Sequence, residues 1–327
     1  MIPPNSLDAI LEAFRSATSF ILTAHINPDG DAVGSMLALR RLLLQWGKEE
    51  IHCVLSNVAP EECQWLPDVE RIVGPDVPLP SADWLIMLDA SRRTRLGAVA
   101  DKLHPSMPMI TIDHHADDAP HGDIVLVDPS YGACGEIIAE LYQQAGLVPD
   151  YEAALCLYVA IITDTGSFQF PNTSARTHRL VADLLAAGVD AGEVSGRVFH
   201  TMSRGRFTLM VRVLQRLQIS GDGRIAWSEV FPGDFKETGA RPEDLNNLIN
   251  YGRDIDGVEV AVLFRSIDPT TTKISLRARP SFNAIPVAAY FDGGGHPGAA
   301  GATLNMSLGE ARRAVLTRIQ DYMGETT

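Results

Sequence analysis

The first half of the chain alternates short apolar runs with amphipathic stretches. Apolar runs of strand length lie at 20–24, 51–55, 84–88, 109–112 and 124–127. Between the first two, residues 33–46 place apolar side chains at helical spacing and stop at Gly47. Buried strands separated by helices predict a mainly parallel sheet covered by helices. From Gly132 to about Leu217 the pattern turns helical, over 136–145, 151–162, 174–187, 193–201 and 206–217. The last of these lacks breakers and suits a connection between domains. After the turn signal Ser220-Gly221-Asp222-Gly223, strands return at 224–230, 258–265 and 273–279. Helices are expected over 242–251, 285–291 and 308–323. The expected fold class is α/β: an N-terminal domain over 1–190, a helical linker over 191–219 and a smaller α/β domain over 220–327.

Composition narrows the class of partner. With 46% hydrophobic and 21% charged residues, the chain reads as a soluble globular protein. Its longest apolar stretches, such as 155–162, are too short to span a bilayer, so no membrane is expected. The N-terminus lacks the basic, apolar and small-residue succession of a leader, so export is not expected. Cys53, Cys63, Cys134 and Cys156 are widely spaced with no Cys-x-x-Cys pair, which reads as reduced thiols in a cytoplasm. The net charge is −14, from 27 basic and 41 acidic residues. Gripping long nucleic acid takes many cation–phosphate contacts, so long strands are disfavoured. A partner with a few phosphates is compatible.

The ends of the apolar runs carry the chemistry. His25-Ile26-Asn27-Pro28-Asp29-Gly30-Asp31 follows the first run, Asp89 the third, and Asp113-His114-His115 the fourth. Ligand sites in open α/β sheets form where such strand ends converge. Helix capping, with Asp31 or Gly30 beginning the helix that carries Val33, is the plainer alternative, but it does not explain His25. Asp89 alone reads as a turn residue, and Asp164, after an apolar helix, reads alone as a C-terminal turn. Together these groups are too many to desolvate for packing, and cations are the simplest way to hold the carboxylates. The stretch Gly293-Gly294-Gly295-His296-Pro297-Gly298-Ala299-Ala300-Gly301 reads as a loop whose amides can cradle a phosphate. Arg277 and Arg279 lie on one face of the preceding strand and offer fork-shaped donors, or simply face solvent.

In order and spacing these motifs resemble the DHH phosphoesterase family, named for Asp-His-His, here Asp113-His114-His115. His25, Asp29 and Asp31, then Asp89, then residues 113–115, then Asp164 match its four motifs, and residues 293–301 resemble its C-terminal associated domain. The resemblance covers essentially the whole chain and is nearest to the short bacterial nano-RNase and pAp-phosphatase type. It implies a DHH fold and two divalent metal ions. One would take His25, Asp29 and Asp89; the other Asp31, Asp89, His114 and Asp164. Manganese is implied, because imidazole suits it better than magnesium. His115 would contact the scissile phosphate and Asp113 would support it from behind. Arg277, Gly294, Gly295 and His296 would bind substrate. The ions would lower the pKa of a shared water for in-line attack on phosphorus.

The implied activity is 3′-to-5′ hydrolysis of oligoribonucleotides of about 2–5 nucleotides, with pAp 3′-phosphatase activity beside it, in keeping with the small polyelectrolyte term. A phosphodiesterase for linear dinucleotides such as pApA or pGpG is a second reading, and a non-catalytic nucleotide sensor a third. A homodimer is compatible with all three. Cys134 stands where family members often carry Ser or Thr, and a packing role is expected for it.

Overall fold

The computed structural model describes residues 7–104, 106–245 and 247–325. Contacts divide the chain into two compact units, 1–201 and 202–327. Helices Ala191–Phe199 and Arg204–Gln215 fall on opposite sides of that division.

The first unit is built on a six-stranded sheet. Its strands are β1 (Ser19–Ala24), β2 (Glu50–Val54), β3 (Ile72–Val73), β4 (Trp84–Leu88), β5 (Met109–Asp113) and β6 (Ile124–Val127). They run in the order β3-β2-β1-β4-β5-β6, every neighbouring pair parallel. Every residue of β1 is buried, which is why its sequence shows a solid apolar run rather than alternation. Phe20, Leu22, Ile86 and Leu88 pack under helices Gly30–Gln45, Cys134–Ala145 and Tyr151–Asp164. Ile21, Leu85 and Met87 face the other way, against Leu96, Val99 and Leu103.

Helices Gly30–Gln45 and Tyr151–Asp164 approach closely. A Cβ on Gly34 would collide with the Cys156 carbonyl oxygen, and one on Gly30 with the Thr163 side chain. Only glycine permits this spacing, and it draws the start of one helix to the end of the other.

The second unit carries a mixed sheet. Its strands are β7 (Gln218–Ile219), β8 (Ile225–Val230), β9 (Val260–Asp268), β10 (Thr271–Ala278), β11 (Gly294–His296) and β12 (Ala299–Leu304), in the order β11-β12-β10-β9-β8-β7. Only β8 and β9 pair in parallel. Val260, Val262 and Phe264 pack with Ala311, Val315 and Ile319 of helix Leu308–Glu325. Ala261 and Leu263 face the opposite core, with Leu209 and Val213. Both faces are covered, so β9 reads as a continuous apolar run.

Two local expectations are corrected. A single helix over 242–251 is not formed. A 3₁₀ turn, Pro242–Leu245, and a four-residue helix, Asn250–Arg253, stand there instead, and Asn246 lies outside the described residues. Asn247 has φ 67°, a left-handed conformation that no α-helix carries through. The glycine stretch 293–301 is not an open loop but an antiparallel hairpin, β11 paired with β12. Its glycines let backbones meet. A Cβ on Gly293 would strike the Gly301 carbonyl oxygen, and one on Gly295, whose φ is 144°, the carbonyl oxygen of Ala299.

Among the described residues no helix is long and apolar enough to cross a membrane.

Candidate metal centre

Strand register alone lines up the first candidate ligands. Ala24 pairs with Leu88, and Leu88 with Ile112, so His25, Asp89 and Asp113 follow in a row across three strands. The strand order reverses direction between β1 and β4, the place where open α/β sheets leave a crevice at their carboxyl ends. Asp89 is held there at φ 52°, left-handed for a non-glycine residue, with its amide donating to the Ile112 carbonyl at 3.0 Å. Such conformations cost of order 1–3 kcal/mol and persist where surrounding structure imposes them.

The other groups arrive from helices. Asp29 caps helix Gly30–Gln45, accepting from the Ala32 amide at 3.0 Å, so the cap is Asp29 and Gly30 is the first helical residue. Asp31 is fully buried and accepts the Cys134 amide at 2.6 Å, the Gly135 amide at 2.9 Å and the Ser35 hydroxyl at 2.9 Å. Asp164 ends helix Tyr151–Asp164. Three overlapping groups result: Asp89 with Asp113, His114 and His115; His25 with Asp29 and Asp89; and Asp31 with His114 and Asp164. Within each, ligand atoms lie within 4.8 Å of one another. Asp89 belongs to two of them.

Hydrogen bonds decide which imidazole nitrogen is available. His25 Nδ1 lies 2.9 Å from the Ile26 carbonyl and His114 Nδ1 lies 3.3 Å from that of Tyr131. A carbonyl only accepts, so Nδ1 carries the proton in both rings. Their Nε2 atoms face carboxylates: His25 toward Asp89 at 3.2 Å, His114 toward Asp164 at 3.2 Å and toward Asp31 and Asp89 at 3.6 Å. His115 differs. Its Nδ1 donates to Asp113 at 2.9 Å, and its side chain is 45% exposed, which leaves Nε2 for a ligand.

Three buried atoms here have no hydrogen-bond partner among the described residues: Asp89 Oδ1, Asp113 Oδ2 and His114 Nε2. Orphaned donors and acceptors are costly in a core, and metal coordination satisfies them. The charges agree. Burial, then the charges of Asp89, Asp164 and Asp29, pushes the Asp31 carboxyl well up. Burial with Asp89 and Asp29 raises Asp164 to about 7. Burial opposes a charge on His25, yet Asp29 and Asp89 raise it to about 10. Burial likewise opposes the Asp89 carboxylate, but the His115 and His25 imidazoles beside it hold it well below the usual range. Asp113 and Asp89 raise His115 to about 11. The cluster's donor set of imidazole and carboxylate fits divalent metal ions.

Residues 19–161 match the family model described as DHH family, N-terminal domain, and residues 222–325 that of the DHHA1 domain. The chain is 32% identical over 304 residues to the bifunctional oligoribonuclease and PAP phosphatase NrnA of Thermus thermophilus, covering 92% of this chain and 89% of that protein. The chain belongs to the DHH family. It is a phosphoesterase, a hydrolase by family. The Bacillus subtilis protein of the same name is 27% identical over 88% of this chain and 89% of its own. An exopolyphosphatase-related protein from Bacteroides fragilis superposes with a TM-score of 0.88 at 25% identity, covering 97% of this chain and 96% of that one.

The sequence pattern missed the support of the DHH site. Asn172 donates to the Asp164 carbonyl at 3.1 Å and the Gly132 carbonyl at 2.8 Å. Cys134 is fully buried, with its thiol 3.4 Å from the Ile112 carbonyl, and its contribution to the site is its backbone amide. The Asp113-His114-His115 motif flags side chains, and nothing in it marks an amide that holds a carboxylate.

In the second unit, Arg277 is partly buried and its Nη1 meets only the Leu276 carbonyl, at 3.0 Å; among the described residues no carboxylate pairs with it. Arg279, by contrast, is spent on the carbonyls of Arg253, Asp254 and Ile255. His296 and Gly294 are exposed on β11.

One prediction concerns protons. In the metal-free protein Asp164 keeps its proton up to about 7, whereas in the unfolded chain an aspartate loses it near ~3.9. Across that window the folded state binds more protons, so stability falls as pH rises. Asp164→Asn is expected to remove part of this slope. Melting temperature of chelator-stripped protein between pH 4 and 7 checks it, and an unchanged slope would exclude Asp164 as its source.

Proposed function

We propose that the chain is a two-metal phosphoesterase that degrades very short oligoribonucleotides from the 3′ end and removes the 3′-phosphate of pAp. The reading is carried by the strand-end cluster with its orphaned Asp89 Oδ1, Asp113 Oδ2 and His114 Nε2. The names borne by the Thermus and Bacillus relatives supply the substrate class.

His25, Asp29 and Asp89 would hold one ion, and Asp31, Asp89, His114 and Asp164 the other, manganese being preferred for its tolerance of imidazole. Bound there, divalent ions supply Lewis acidity toward a phosphoryl group and lower the pKa of a water. The chain's own residues do the rest. Asp113 accepts from His115 Nδ1 and fixes the ring, so that Nε2 can contact a substrate phosphate. Arg277, His296 and the Gly294 and Gly295 amides bind further phosphate oxygens. Asp29, Asp31, Asp89 and Asp164 balance two divalent cations, so the site does not repel an anionic substrate. No protein nucleophile is needed.

A turnover panel with manganese tests the reading: pAp, dinucleotides with and without a 5′-phosphate including pGpG, a 5-mer, a 24-mer and pyrophosphate. The 5-mer is expected to exceed the 24-mer in kcat/KM by at least ~10-fold, since a chain of net charge −14 gains little from long polyanions. Equal values would reject the short-substrate reading. Turnover confined to linear dinucleotides would favour a dedicated dinucleotide phosphodiesterase instead.

Arg277→Ala and His296→Ala are each expected to bind manganese normally and to lose kcat/KM. One charge-assisted contact is worth ~1.5–3 kcal/mol, or about ten- to a hundred-fold. Arg277→Lys recovers part of this, because an ammonium cannot reproduce the guanidinium fork. If His296→Ala lowers only the melting temperature, the hairpin is a packing element and the contact is refuted.

A further inference from the structure

Residues 130–135 lead from β6 into helix Cys134–Ala145 and present three consecutive carbonyls to three different side chains. The Ser130 carbonyl accepts from Arg176 Nη2 at 2.6 Å, that of Tyr131 from His114 Nδ1 at 3.3 Å, and that of Gly132 from Asn172 Nδ2 at 2.8 Å. Just beyond, the Cys134 and Gly135 amides donate to the two oxygens of Asp31. Asn172 also donates to the Asp164 carbonyl. Asp31, His114 and Asp164 are one of the three ligand groups. All three are therefore tied to this single short segment. His25 and Asp29 are anchored elsewhere, to the Ile26 carbonyl and the Ala32 amide.

The segment is itself clamped. The Arg176 guanidinium lies 3.7 Å over the Tyr131 ring, and its Nε donates to Glu136 at 3.3 Å. Glu136 is fully buried and also accepts the Thr177 hydroxyl at 2.5 Å. A carboxylate is costly to bury, and an arginine partner offsets that cost only with good geometry. The clamp grips the residues that face the cluster.

We propose that Arg176 and Asn172 are positioning residues that set the Asp31–His114–Asp164 half of the metal centre independently of the His25–Asp29–Asp89 half, by fixing the carbonyls of residues 130–132. The inference rests on the two-ion reading above. With the Tyr131 carbonyl in place, the His114 proton stays on Nδ1 and Nε2 keeps its lone pair for a cation. Releasing the carbonyl frees the ring to turn or change tautomer. Removing partners that orient metal ligands costs about 10- to 100-fold in affinity.

The test is manganese titration of the full chain, read calorimetrically and by the spin signal of the free ion. The wild type is expected to bind two ions. Arg176→Met and Asn172→Ala should each keep one ion at wild-type affinity and lose about 10- to 100-fold for the other. Arg176→Lys should fall between, since it can reach the Ser130 carbonyl but not cover the ring and Glu136 together. Should Arg176→Met fail to fold, Arg176→Lys and Asn172→Ala carry the measurement. Two ions in the wild type, with both affinities unchanged or both lowered equally in these variants, would overturn this inference alone. A single ion in the wild type would overturn the two-ion reading and this inference with it.

Discussion

Asp89→Asn is expected to lower turnover by at least ~10³-fold and to reduce bound manganese. Asp89 is 1% exposed, belongs to two of the three ligand groups, and has one oxygen with no hydrogen-bond partner. Asparagine keeps the size but offers one neutral oxygen where a carboxylate offers two charged ones. Transition-state charge stabilisation by metal ions is worth several kcal/mol, and about 4 kcal/mol corresponds to about a thousandfold. The substitution also removes the partner that His25 and His115 share. Their raised pKa values should then move back toward the ordinary value, which proton titration of the metal-free variant can read. The fold is expected to survive, because β4 and its register do not depend on the side chain. Retention of more than a tenth of wild-type turnover with two ions bound would refute the shared role of Asp89.

The second large effect is expected at His115. His115→Ala should lower kcat by ~10²–10³-fold, the usual cost of removing one donor aimed at developing charge, while both ions remain bound. The ring is oriented by Asp113, its Nδ1 is committed, and nearly half of its side chain is exposed. His115→Gln retains a donor without the charge and should recover a small part of the loss. Asp113→Asn should produce a partial loss of its own, because the ring remains but its hydrogen-bond partner changes. If His115→Ala instead loses an ion, His115 is a ligand, as its place beside Asp89 and His114 also allows.

The side chains of this site were legible in the sequence because of where they sit. A residue that follows a solid apolar run is at a strand's carboxyl end, and parallel register then puts His25, Asp89 and Asp113 side by side. Asp31 and Asp164 were legible as acidic groups at helix ends. Their proximity was not, since it depends on Gly30 and Gly34 letting two helices meet. The amides of Cys134 and Gly135 left no mark either, because any residue supplies an amide. Arg176 and Asn172 act on carbonyls and resemble ordinary polar surface residues. The glycine stretch 293–301 misled for a related reason. Glycines that bring a backbone close to a phosphate and glycines that bring two strands together have the same sequence pattern. Asn247 could not be foreseen as a helix break, since its left-handed backbone is set by tertiary context.

The position of β1 has a consequence for how the molecule is made. It lies in the middle of its sheet, and its pairing with β4 joins Phe20 to Trp84. No hairpin can nucleate such a sheet, because every parallel pair needs a crossover. The emerging chain therefore cannot close its centre until β4 has left the ribosome. The last member of the cluster, Asp164, comes later still, on a helix that packs against the one begun at Gly30. Non-local pairing of this kind folds slowly and leaves apolar strands uncovered in the interval. On the two-ion reading, added ions cannot complete the cluster before helix Tyr151–Asp164 is made, and so cannot template the sheet. A nascent chain stalled before residue 164 should resist neither protease nor chelator in the way the completed unit does.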